Sequence, residues 1–131
     1  MEFENINDLV SFLEVGNSSY NIYLAHVLGL NPSIVYNALI EMCLNSIADN
    51  KSNRFTCRIE ELFLKTTLKY KSQKTALEVL EKHKLIEVDC DGLFNIRHIR
   101  INLDSNNLQA LIEQGKKKYS EEKPKSTKFT F

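Results

Sequence analysis

At Leu85 the chain changes its hydrophobic period from that of a helix to that of a strand, and few architectures accommodate what stands on either side. Leu85-Ile86-Glu87-Val88-Asp89 and Leu93-Phe94-Asn95-Ile96 alternate around Cys90-Asp91-Gly92. An Asp-Gly pair between alternating apolar runs predicts a β-hairpin, because both residues tolerate the positive φ of a tight hairpin turn. The preceding segment is helical. Ile59, Leu62 and Phe63 mark one helix, and Gln73, Ala76, Leu77 and Leu80 form the inner face of a second, from about Lys69 to His83. Thr66-Thr67-Leu68 leaves room only for a tight connection, with Leu68 as a buried aliphatic within it, so the pair has the shape of a helix-turn-helix.

Upstream, Ile6, Leu9, Val10 and Leu13 recur at helical spacing behind Asn5, which predicts a short capped helix over 5–14. Gly16-Asn17-Ser18-Ser19 ends it and can cap a second helix, about Tyr20 to Leu28, that stops at Gly29. Asn31-Pro32 supplies a capping residue and a first-turn proline for a third, running to about Ile47. This third helix carries two apolar stripes. Ile34, Val35, Ala38, Leu39, Met42 and Cys43 form one, and Tyr36, Ile40, Leu44 and Ile47 widen it until only Asn37, Glu41 and Asn45 are plainly polar. One core needs only one stripe. The expectation is therefore a homodimer formed by residues 1–47, with Ile6, Leu9, Leu13, Tyr36, Ile40, Leu44 and Ile47 at the interface. A monomer closed by the first helix is the alternative.

Arg54-Phe55-Thr56-Cys57 is β-prone and short. After the hairpin, Phe94 and Ile96 fall out of phase with Ile99 and Ile101. This implies a bulge or strand break near Arg97-His98, by which Arg97, His98 and Arg100 can all face away from the core. A helix over Asp104 to Gln114, capped by Asp104 or Ser105, leads to Gly115, beyond which the chain is Lys-rich and polar. The expected organisation is a domain over 1–103 with a helical extension at 1–19, a C-terminal helix at 104–115, and a flexible basic tail at 116–131.

The 131 residues, 43% of them apolar, suffice for one domain with one core. No apolar run exceeds three or four residues, and Met1-Glu2-Phe3-Glu4 lacks a cationic leader region, so a cytoplasmic protein without a membrane partner is expected. Cys43, Cys57 and Cys90, like His26, His83 and His98, are too scattered for a disulfide framework or a metal site, and no cofactor is expected. The zero net charge hides an asymmetry. Residues 1–50 hold six acidic residues and no Lys or Arg, leaving 17 basic and 11 acidic residues beyond them. From Lys65 to Thr75 run Lys65, Lys69, Lys71 and Lys74 without one acid. Such a division suits a second half that meets a polyanion and a first half that meets protein; a solvated lysine face is the plainer alternative.

Helices, then a helix-turn-helix, then a hairpin, is the order of a winged-helix domain. The fold class expected is thus α+β, mainly helical, a winged helix-turn-helix with a two-stranded C-terminal wing and extra N-terminal helices. In that arrangement the second helix enters the major groove of double-stranded DNA. Its outward residues are Tyr70, Lys71, Lys74, Thr75 and Glu78. With Lys69 at its start and Arg97, His98 and Arg100 on the wing, they supply phosphate contacts, hydroxyls and an aromatic face.

Leu80-Glu81-Lys82-His83-Lys84-Leu85-Ile86 resembles the Leu-Glu-x-x-Gly-Leu-Ile junction between recognition helix and wing in bacterial winged-helix proteins. Leu24-Ala25-His26-Val27-Leu28-Gly29-Leu30-Asn31-Pro32-Ser33-Ile34-Val35, followed by a long helix, Phe55 and the helix-turn-helix, resembles the N-terminal winged-helix domain of DnaD-like replication initiation proteins and phage replisome organisers. The resemblance covers about residues 20–103. It departs from the pattern at Lys84, where a glycine is usual, and at Thr67, where a small residue is usual. It also lacks the second helical domain that contacts single-stranded DNA in larger members. The resemblance implies DNA binding in phage or plasmid replication initiation, or in transcriptional control. The alternative is a protein-protein interaction module for replisome assembly or inhibition, with replication proteins meeting the acidic half or the tail. Zero net charge and Glu78, Glu81, Glu87, Asp89 and Asp91 favour the latter. No glycine-rich phosphate loop, paired carboxylates or partnered nucleophile suggests an enzyme.

Overall fold

The computed structural model describes residues 2–13, 20–46, 53–90 and 96–122. Along them run α1 (Ile6–Leu13), α2 (Ile22–Leu28), α3 (Leu30–Ser46), β1 (Arg54–Arg58), α4 (Ile59–Thr66), α5 (Tyr70–Lys82), β2 (Ile86–Cys90), β3 (Ile96–Ile101) and α6 (Ser105–Glu122). The fold is α+β and mainly helical, with one three-stranded antiparallel sheet in the order β1-β3-β2. β2 and β3, the strands expected on either side of Asp91-Gly92, thus gain β1 as a third member, while residues 91–95, the expected turn and the start of the second strand, lie outside the described residues. Among the described residues no helix is long and apolar enough to cross a membrane.

Side-chain caps start α1 and α6 as the sequence leads one to expect. Asn5 Oδ1 accepts the Asp8 N–H at 3.2 Å, and Asp104 Oδ1 the Asn106 N–H at 2.9 Å. For α2 the cap is Asn21, which accepts from Tyr23 and Leu24 at 3.0 and 3.1 Å; residues 16–19 lie outside the described residues. Gly29, at φ 99°, then lets α3 begin at Leu30, ahead of the Asn31-Pro32 pair.

Among the described residues most of both stripes of α3 is covered within the chain. Val35, Tyr36, Ala38, Leu39, Ile40, Met42 and Cys43 are all buried against α1, α2, α4, α5 and β1. This corrects the expected dimer interface: Ile6 and Leu9 are wholly inaccessible, Tyr36 and Ile40 nearly so, and Leu13 and Leu44 are half-buried against the same core. Ile47 lies outside the described residues. The N-terminal segment covers more than its eight helical residues because its lead-in is anchored. Glu2 pairs with Asp104, the Phe3 N–H donates to the Leu103 carbonyl at 2.9 Å, and Phe3 is buried beside Phe12.

The C-terminal helix does not stop at Gln114 but continues through Gly115 to Glu122, so residues 116–122 are helical rather than tail. Residues 123–131 lie outside the described residues. At Gly115 α6 packs directly on the α2 backbone: a Cβ there would overlap the Tyr23 carbonyl. Leu108, Leu111 and Ile112 are buried on the same helix.

Among the described residues, two other than glycine occupy left-handed backbone, Thr67 and Lys84, both at φ 61°. These are the two positions at which the sequence departs from its resembled pattern. At Lys84 the α5 terminus is a Schellman motif: the Lys84 N–H donates to Glu81 O at 2.9 Å and the Leu85 N–H to Leu80 O at 3.0 Å. Both Leu80 and Leu85 are buried beside the turn. A β-carbon in this conformation costs about 1–2 kcal/mol, against about 0.5–1 kcal/mol of extra entropy that glycine loses on folding. Lys84→Gly is therefore expected to stabilise the protein by roughly 0.5–1 kcal/mol, read as a higher urea midpoint; a lower midpoint contradicts the cap.

Candidate nucleic-acid interface

α5 is fixed on one side and open on the other. Gln73, Ala76, Leu77 and Leu80 are buried, while Lys69, Tyr70, Lys71, Lys74, Thr75 and Glu78 are exposed. Lys69, Tyr70, Lys71, Lys74, Thr75 and Glu78 therefore share one open surface, mainly basic but including the Glu78 carboxylate, as the 3.6-residue period requires of neighbours three and four apart. Lys69 is the N-cap residue, and its ammonium can only donate, so it forms no side-chain cap. No acidic residue stands in the first turn. Of the lysines in the acid-free run, Lys65 is engaged elsewhere, 2.8 Å from Glu41 on α3.

Arg97 corrects the sequence reading. β3 pairs without interruption on both sides, Arg58↔Ile96 to Arg54↔Arg100 with β1 and Cys90↔Arg97 to Ile86↔Ile101 with β2, so no bulge turns the strand. Arg97, Ile99 and Ile101 face inward and are buried; His98 and Arg100 face outward. Arg97, 5% exposed, donates from Nη1 to Gln73 Oε1 at 2.8 Å, and its guanidinium carbon lies 5.9 Å from the Tyr70 ring centre. Gln73 Nε2 in turn donates to Ile59 O at 3.1 Å and Leu68 O at 2.7 Å. One buried polar network thus ties the start of α4, the α4–α5 turn, α5 and β3 together. Its signal in the sequence is Gln73, the lone polar residue on an apolar helical face, which needs a buried partner.

Cys57 sits across the ladder from Arg97. Burial pushes its thiol up to about 11, outweighing the nearby Arg97 guanidinium, which favours the thiolate; the Glu61 carboxylate acts in the same direction as burial. Burial alone pushes Cys43 up to about 11. Both thiols are neutral at ordinary pH and neither is poised as a nucleophile. Among the described residues no group of His, Cys, Asp or Glu could hold a metal ion.

The outward residues of β3 do not join the α5 surface. His98 and Arg100 project from the opposite face of the sheet, where Arg100 pairs with Glu87 and His98 lies between Thr56 and Asp89 in the ladder. They line an open groove of about 590 Å³ with Arg54. A second depression, of about 570 Å³, lies between Leu30, Pro32 and the Lys71, Ser72, Thr75 and Val79 positions of α5.

Comparison with protein-family models, with curated proteins and with solved structures finds no match.

Proposed function

We propose that the chain is a winged-helix protein that binds double-stranded DNA. In this reading α4, the Thr67–Lys69 turn and α5 form the helix-turn-helix, and the sheet is the wing. The observation that carries it is the open face of α5. Lys69, Lys71 and Lys74 stand beside Tyr70 and Thr75 on a helix of 13 residues whose other face is locked into the core. Such a helix is about 20 Å long and fits the roughly 12 Å wide major groove. The lysines neutralise phosphates, while Thr75 and Tyr70 reach base edges. Arg97 lies buried beneath this face rather than on it, and His98 and Arg100 belong to a separate face.

The resemblance to DnaD-like initiation proteins and phage replisome organisers extends this reading to replication initiation, or to transcriptional control by the same domain, in the cytoplasm. The alternative, a protein-binding module for replisome assembly, draws on Phe63 and Leu64, both exposed on α4. A mobility-shift series with the full chain, origin and promoter fragments and excess competitor DNA separates the two. Retention of a subset of fragments is expected. No shift with any fragment at 50 mM salt contradicts DNA binding.

A further inference from the structure

Arg97 is a cation that the fold buries without neutralising. Its Nη1 has Gln73, but its Nη2 is buried with no hydrogen-bond partner, and no carboxylate among the described residues forms an ion pair with it. A buried charge costs several kcal/mol unless it is paired, so this guanidinium lacks a counter-charge. Its position says where one would come from. It lies against the first turn of α5, between the ring of Tyr70 and the side chain of Gln73. That same turn has no side-chain cap and no acid, so its first N–H groups, on Tyr70, Lys71 and Ser72, point outward with the positive end of the helix dipole.

We propose that the first turn of α5 and Arg97 together form a site for one phosphate group, with the Tyr70 ring as its cover. Tyr70 is 52% exposed and is the first residue of the helix, so its ring can turn outward without disturbing the core. The guanidinium Nη2 then meets the phosphate oxygens from below while the backbone N–H groups meet them from the helix end, and Lys69 closes the site from solvent. One monoanionic phosphodiester balances the one buried positive charge. The site deepens the DNA reading, on which it rests only for the source of the phosphate: a duplex backbone or a free phosphate.

The test uses the full ¹⁵N-labelled chain, titrated at constant ionic strength with inorganic phosphate and separately with a short duplex. Phosphate is expected to shift the Tyr70, Lys71 and Ser72 amides and the Arg97 Nε resonance together, with one saturating curve. Tyr70→Ala is expected to tighten phosphate binding severalfold, since the cover is gone, and Arg97→Gln to weaken it about tenfold or more. In the duplex arm, Arg97→Gln lowers the salt slope of log K by about one. Should Arg97→Gln fail to fold, the wild-type titration and Tyr70→Ala still decide. Absence of a saturable response at these amides, or an unchanged phosphate affinity in Tyr70→Ala, overturns the site and its cover respectively. A phosphate response without duplex binding upholds the site for free phosphate and defeats the DNA reading. Duplex binding with an unchanged slope in Arg97→Gln and no phosphate response does the reverse.

Discussion

Replacing Lys71 and Lys74 together by Glu is expected to lower duplex affinity by about a hundredfold or more at 0.1 M salt. Each phosphate contact contributes close to one decade of affinity at that salt through counterion release, so losing two accounts for roughly two decades, before the added repulsion of two carboxylates. The melting temperature should move by no more than about a degree or two, because both side chains are exposed and neither forms an ion pair among the described residues. Anisotropy on a labelled duplex gives the first quantity and thermal denaturation the second. Affinity within about threefold of wild type would remove α5 from the interface, and loss of the fold would mean that these lysines hold structure rather than DNA.

Gly115→Ala should destabilise the protein by about 1–3 kcal/mol. At an ordinary exposed helical position the same change stabilises by about 1 kcal/mol, so the sign alone is diagnostic. The reversal follows from the crossing of α6 over α2. The added methyl would overlap the Tyr23 carbonyl, and backbone cannot step aside as a side-chain end can. The helices must separate, loosening the packing of Leu108, Leu111 and Ile112. Tyr119, edge-on to both Tyr23 and His26, would be displaced with them. Equal or raised stability by chemical denaturation would contradict the close crossing.

Features governed by local period and capping could be read from the residues. The inner face of α5, the start of α4 after a short strand, the caps Asn5 and Asp104, and the two strained turns at Thr67 and Lys84 all depend on neighbours within a few positions. Long-range contacts decide the remainder. Gly115 reads locally as a helix stop, yet its lack of a side chain serves the approach of α2, more than ninety residues upstream. Arg97 reads as a surface cation because charged residues are seldom buried, yet β3 is the central strand, and Gln73 and Tyr70 receive it. The second stripe of α3 reads as uncovered because the pairing of Glu2 with Asp104, which anchors the segment before α1, leaves no periodic trace.

The candidate site divides the same way. Its α5 members share a face by helical geometry alone, and the structure keeps them together. The β3 members are set by sheet register, where one position of phase exchanges the two faces, and the register sends Arg97 inward and His98 and Arg100 to the far side.

The salt dependence of duplex affinity tests DNA binding by α5 most directly, measured by anisotropy on one labelled duplex between about 50 and 200 mM salt. Three exposed lysines give a slope of log K against log salt near −2.7 per protomer, moving toward −3.6 if a phosphate also occupies the Arg97 site. A slope between about −2.5 and −4 is the expected result. A slope shallower than about −1, or no binding at the lowest salt, contradicts it.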